Sequence, residues 1–127
     1  MARGNLRIQC DIPVRDLLCG AIRDYAHAAY PVGGSECAQV ARYTLLELAG
    51  QIEQGITAET GSVHISRRPR AMVKAALAYY FDRLDHESGT SSLQQRALLE
   101  SLLKECAVTA ADVARARTAD AQSGPVI

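Results

Sequence analysis

Leu6-Arg7-Ile8-Gln9-Cys10-Asp11-Ile12-Pro13 is the stretch on which the fold turns. Leu6, Ile8, Cys10 and Ile12 alternate with Arg7, Gln9 and Asp11, the period of two that marks a half-buried strand. Pro13 has no N–H for a ladder and suits the first turn of a helix. Asp11 just before it is either an outward strand residue or a cap for that helix. Leu17, Leu18, Ala21, Ile22, Tyr25, Ala26 and Ala29 follow at helical spacing. Pro31-Val-Gly-Gly34 ends the pattern, and Ser35 can cap a second helix with Glu36 in its first turn. That helix places Cys37, Val40, Ala41, Thr44, Leu45, Leu48, Ala49 and Ile52 on one apolar face.

The order then recurs. Ser62-Val63-His64-Ile65-Ser66 reads as a second short strand, with Val63 and Ile65 on one side. Met72, Val73, Ala76, Leu77, Tyr80, Phe81 and Leu84 form a third helical stripe, broken from Asp85 onward. Ser91-x-x-Gln94 has the form of a capping box, and Leu93, Ala97, Leu98, Leu102 and Cys106 supply the apolar side of a fourth helix. A short fifth helix is predicted from Thr109, with Thr109 and Asp112 as a capping box and Val108 and Val113 at staple spacing. From Ala119 to the end the chain reads as loose. An offset of 55 aligns the halves, pairing Ile8 with Val63, Leu18 with Val73 and Tyr25 with Tyr80.

Composition narrows the function classes. The 127 residues carry 14 Lys+Arg and 14 Asp+Glu, so net charge is zero and an indiscriminate nucleic-acid coat is disfavoured. Residues 1–60 sum to −2, residues 61–104 to +3 and residues 105–127 to −1, so neutrality hides a basic second repeat. No apolar run approaches the roughly 20 residues of a membrane span. The opening Met1-Ala2-Arg3-Gly4 is not a secretory signal, and a cytoplasmic protein is expected. The four cysteines (10, 19, 37 and 106) form no C-x-x-C pair and are expected as core residues. The three histidines show no ligand spacing, so neither metal nor other cofactor is expected. No nucleophile–base arrangement or phosphate-cradling glycine loop is present, and an enzyme is not expected.

Strand, helix, Gly-containing turn and helix, twice over, resembles the ribbon–helix–helix family of DNA-binding proteins. The residues that carry the resemblance are Leu6 to Pro13, Leu17-Leu18, Ala21-Ile22, Gly34-Ser35-Glu36, Val40-Ala41-Arg42 and Leu45. Both halves in one chain resemble that family's single-chain tandem form in T-DNA transfer. The fold class expected is mainly α with a short two-stranded antiparallel ribbon, a tandem pseudo-dimer in one chain. Its single domain spans 5–107 as two intertwined repeats (5–55 and 61–107), with a short helix and flexible tail at 108–127. The resemblance implies double-stranded DNA as partner, and a conjugation or relaxosome accessory role with a relaxase or other transfer proteins. A transcriptional repressor, an antitoxin-like regulator and a helical interaction adaptor are the alternatives. It also implies a monomeric pseudo-dimer able to associate further on DNA.

A two-stranded ribbon fits the major groove, where its outward side chains reach base edges. Arg7, Gln9, Ser62, His64 and Ser66 are the expected base contacts. Phosphate contacts are expected from the helix starts at Gly34, Ser35, Thr90 and Ser91. Arg67, Arg68 and Arg70 follow the second strand and form the most basic stretch, which suits phosphate as well.

Overall fold

The computed structural model describes residues 4–122. Strand β1 (Asn5–Cys10) leads into helix α1 (Ile12–Ala29), which turns back as α2 (Glu36–Gly55). Strand β2 (Ser62–Ser66) then leads into α3 (Arg70–Ser88), which turns back as α4 (Leu93–Ser101). A 3-10 turn (Leu102–Lys104), strand β3 (Ala107–Val108) and helix α5 (Ala110–Ala121) complete the chain.

Local chemistry sets the boundaries. Asp11 is the cap of α1: its Oδ1 accepts from Val14 N at 3.3 Å. Its Oδ2 accepts from Ala110 N at 2.7 Å, which ties α5 to the start of α1. Ser35 caps α2 through Ala38 N, and Thr109 with Asp112 forms the full capping box of α5. Helix α3 continues through Asp85 to Ser88 and ends at Gly89, whose φ of +72° a residue without Cβ adopts freely.

Leu6, Ile8, Cys10 and Ile65 face inward from the strands and are at most 6% exposed. They meet Val14, Leu18, Ala21, Ile22 and Ala26 of α1, Leu45, Leu48, Ala49 and Ile52 of α2, and Val73, Ala76, Leu77 and Phe81 of α3. Each fully buried large side chain contributes about 1.5–3 kcal/mol. Arg23 and Glu53 join α1 to α2 as a two-pronged pair, with both N–O distances 3.1 Å.

The expected two-stranded ribbon in a tandem ribbon–helix–helix pseudo-dimer is not what the chain forms. Among the described residues the sheet has three strands in the order β2-β1-β3, and it is mixed. β1 and β2 pair antiparallel, with Arg7 opposite His64 and Ile8 opposite Val63. β3 then lies parallel to β1, with Gln9 beside Ala107 and Cys10 beside Val108. The cause is the end of the second repeat. α4 is 9 residues long against 20 for α2, and Glu105 (φ +64°) reverses the chain beside β1. An open strand edge is thereby covered, which removes a site for aberrant pairing. The offset of 55 still makes Ile8 and Val63 equivalent, and these two face each other. The same offset carries Leu18, Ala21, Ile22 and Ala26 of α1 onto Val73, Ala76, Leu77 and Phe81 of α3, all buried, and the halves diverge from α2 and α4 onward.

Three smaller expectations change as well. Cys37 and Cys106 are exposed rather than core residues. Val40 is 65% and Leu93 66% exposed, and Ala97 is exposed too, so the early turns of α2 and α4 are less buried than their periodicity suggests. The chain beyond Ala119 is not loose throughout, since Asp120 is buried against α4; residues 123–127 lie outside the described residues.

Candidate nucleic-acid interface

Alternation on two short strands gives the sheet an outer face of three rungs: Asn5 with Ser66, Arg7 with His64, and Gln9 with Ser62. Arg7, His64 and Ser66 are exposed, and Gln9 and Ser62 are half-buried. Sequence alternation therefore identifies the outward set, with Asp11 withdrawn as a helix cap. Neighbouring strands are about 4.8 Å apart. Two of them fit a major groove about 12 Å wide. β3 widens the sheet only at Gln9 and Cys10.

The outer side chains differ in how free they are. The Arg7 and His64 side chains make no hydrogen bond or ion pair among the described residues, so their donors face solvent. Gln9 Nε2 donates to the Glu105 carbonyl at 3.2 Å. Ser66 Oγ accepts from Arg68 N at 3.2 Å and so shapes the turn after β2.

Where β2 leaves the sheet, the chain builds a basic groove of about 480 Å³. Arg67, Arg68, Arg70 and Lys74 line one wall; Glu100, Leu103 and Lys104 line the other. Arg70 Nε donates to the Leu103 carbonyl at 3.1 Å, which joins the start of α3 to the end of α4. Arg67 Nε donates to the Asn5 carbonyl at 3.0 Å and its Nη2 lies 3.7 Å from Glu105. Arg68, Lys74 and Lys104 have no ion-pair partner among the described residues. Elsewhere on the helices most arginines are paired: Arg15 with Asp16, Arg23 with Glu53, Arg83 with Glu87, Arg96 with Asp82 and Glu100, and Arg115 with Asp112, while Arg42 and Arg117 have no ion pair among the described residues. Unneutralised charge is thus concentrated beside the sheet, where it raises local potential toward an anion.

Lys104 was not among the sequence candidates, whereas Lys74 clusters with Arg67, Arg68 and Arg70 in the basic second repeat. Lys74 was legible as one turn beyond Arg70 on the same helix face. Lys104 was not, because it reaches the groove only when α4 folds back on α3.

The expected phosphate contacts at helix starts fall elsewhere. α1 and α2 form an antiparallel hairpin: Arg15 in the first turn of α1 donates to the Ile56 carbonyl at 2.8 Å. At the opposite end Arg42 donates to the Tyr30 carbonyl. With about 1.5 Å of rise per residue, Gly34 and Ser35 lie about 30 Å from the sheet end of α2. Thr90 and Ser91 lie at the matching far end of the α3–α4 hairpin. The expected Ser91–Gln94 capping box does not form there. Asp120 instead accepts from Gln94 N at 2.7 Å, and from Gln95 N and Gln95 Nε2 at 3.0 Å each. A carboxylate from α5 already occupies the site a phosphate would take. Ser92 adds a bond to Asp85.

At the other end of the sheet lies a hollow of about 560 Å³ lined by Gln9, Cys10, Asp11, Pro13, Thr57 and Thr109, with no cation. Among the described residues the outer face is therefore flanked by a basic groove at one end and by a hollow without cations at the other. Among the described residues no helix is long and apolar enough to cross a membrane. Comparisons with family models, with curated proteins and with solved structures found no match to the chain.

Proposed function

We propose that the chain binds double-stranded DNA, with the outer face of β1 and β2 in the major groove and the basic groove beside it on one phosphate backbone. The observation that carries this reading is the cluster of unpaired cations, Arg68, Lys74 and Lys104, next to a strand pair narrow enough for the groove. Arg7 suits guanine, and His64, Ser62 and the remaining polar atoms of Gln9 suit base edges nearby. Arg67 and Arg70 line the same backbone site. The reading does not extend to DNA transfer, because that process came with the tandem fold the sheet departs from. Duplexes enriched from a random pool by the full chain test the proposal. Arg7→Ala is expected to lose about 1–3 kcal/mol of discrimination at its base pair. Arg68→Ala is expected to weaken preferred and scrambled duplexes alike, because phosphate contacts carry no sequence. Equal losses from both variants on every duplex would refute this division.

A helical interaction module is the second reading. It is favoured by Val32, Val40 and Tyr43, which are 80%, 65% and 67% exposed around the start of α2. Val40→Asp with Tyr43→Asp would then abolish retention of a host protein while leaving DNA affinity unchanged. A retained protein that survives both substitutions would count against this surface.

A further inference from the structure

Glu105 is the one non-glycine residue with positive φ, +64°, among the described residues. A side chain there is strained, and glycine would be relaxed. Its N–H closes the 3-10 turn on the Leu102 carbonyl, and its side chain and carbonyl reach the surface just described. Oε2 accepts from Arg7 N at 2.8 Å, the carbonyl accepts from Gln9 Nε2 at 3.2 Å, and Oε1 lies 3.7 Å from Arg67 Nη2. The pair with Arg67 is exposed on both sides, 45% and 44%. Exposed pairs of this kind are weak and screened by salt, so a stronger anion displaces them.

We infer that Glu105 is an internal competitor for phosphate: it neutralises Arg67 in the free protein and opposes DNA that approaches the sheet from the groove side. Glu105 sits between the base-facing rung of Arg7 and the phosphate-facing groove. Its carboxylate lowers the field that any duplex meets, whatever its sequence. Affinity for arbitrary DNA is held down, and the main-chain acceptor keeps Gln9 in place independently of that charge. The inference rests on the DNA reading, naming within it the residue that limits affinity.

The test compares wild type, Glu105→Gln and Glu105→Asp by fluorescence anisotropy with preferred and scrambled duplexes over a salt series. Glu105→Gln keeps an oxygen to accept from Arg7 N but removes the charge. It is expected to bind both duplexes about 3- to 10-fold tighter at low salt, with a salt slope steeper by about 0.9, one phosphate contact. Glu105→Asp keeps the charge and should stay near wild type. Glu105→Gln with unchanged affinity and slope, beside a wild type that binds, overturns the inference and leaves the DNA reading standing. A wild type that binds neither duplex overturns both. Far-UV circular dichroism of each variant establishes that the fold is retained.

Discussion

Cys10 and Cys19 are buried, and that burial pushes their thiols up to about 12 and about 11. The thiolate is the reactive form, so both are inert in the native chain. A thiol reagent at pH 8 is expected to label Cys37 and Cys106 rapidly and the other two only after denaturation. Four equally fast thiols would contradict the placement of β1 and α1. The same burial sets a pH dependence. The folded chain keeps protons that the unfolded chain releases above the ordinary value of 9.0, so these thiols favour the fold below that pH and lose their contribution as pH climbs from there toward 12. Melting temperature should fall between those limits, and less so in Cys10→Ser. Asp120 matters for a different reason: it is 2% exposed and satisfies three donors at the start of α4. Asp120→Ala should cost about 2–3 kcal/mol in urea unfolding, combining a lost cap with a buried amide left unpaired. An unchanged midpoint would show that α5 does not hold α4.

At the scale of elements, the features legible in sequence are those decided by neighbours along the chain. Alternation from Leu6 to Cys10 and from Val63 to Ile65 identified both strands and their inner faces, because a strand buried on one side must alternate. Asp11, Ser35 and Thr109 were legible as caps, because a cap acts within three residues. What was not legible depends on distant segments. Ala107 and Val108 are too short to alternate, and only the reversal at Glu105 brings them to β1. The start of α4 carried a local capping signal in Ser91 and Gln94, but a carboxylate 25 residues beyond Gln95 took its place. Gly55 shows the same dependence. A Cβ there would overlap Val63 Cγ2 and Cβ on β2, a contact the spacing of α2 did not reveal. Gly55→Ala should therefore cost about 1–3 kcal/mol by overpacking. The double variant Gly55→Ala with Val63→Ala should recover part of that loss, as chemical unfolding can measure; a purely additive pair would rule out the contact.

Over the whole molecule, zero net charge is a balance between separate surfaces. Most arginines on the helical exterior are matched by carboxylates, Arg42 and Arg117 excepted, whereas Arg68, Lys74 and Lys104 cluster around a groove beside the sheet without ion-pair partners among the described residues. The sequence located part of this asymmetry, since residues 61–104 carry +3, but folding α4 onto α3 was needed to add Lys104 and to turn a basic run into a concave wall. Because the opposite hollow has no cation, the proposed binding mode would hold a duplex from one side, and the preferred site should then lack two-fold symmetry. Hydroxyl-radical footprints are expected to be one-sided, and a symmetric footprint would point to two copies per site. The most direct test is the affinity of the full chain for a selected duplex as a function of salt. Log affinity should fall linearly with log salt with a slope of about −3 to −4, each phosphate contact contributing about −0.9. Lys74→Ala with Lys104→Ala should flatten that slope by about two. Affinity independent of salt, or a slope the double variant leaves unchanged, would contradict a DNA interface at this groove.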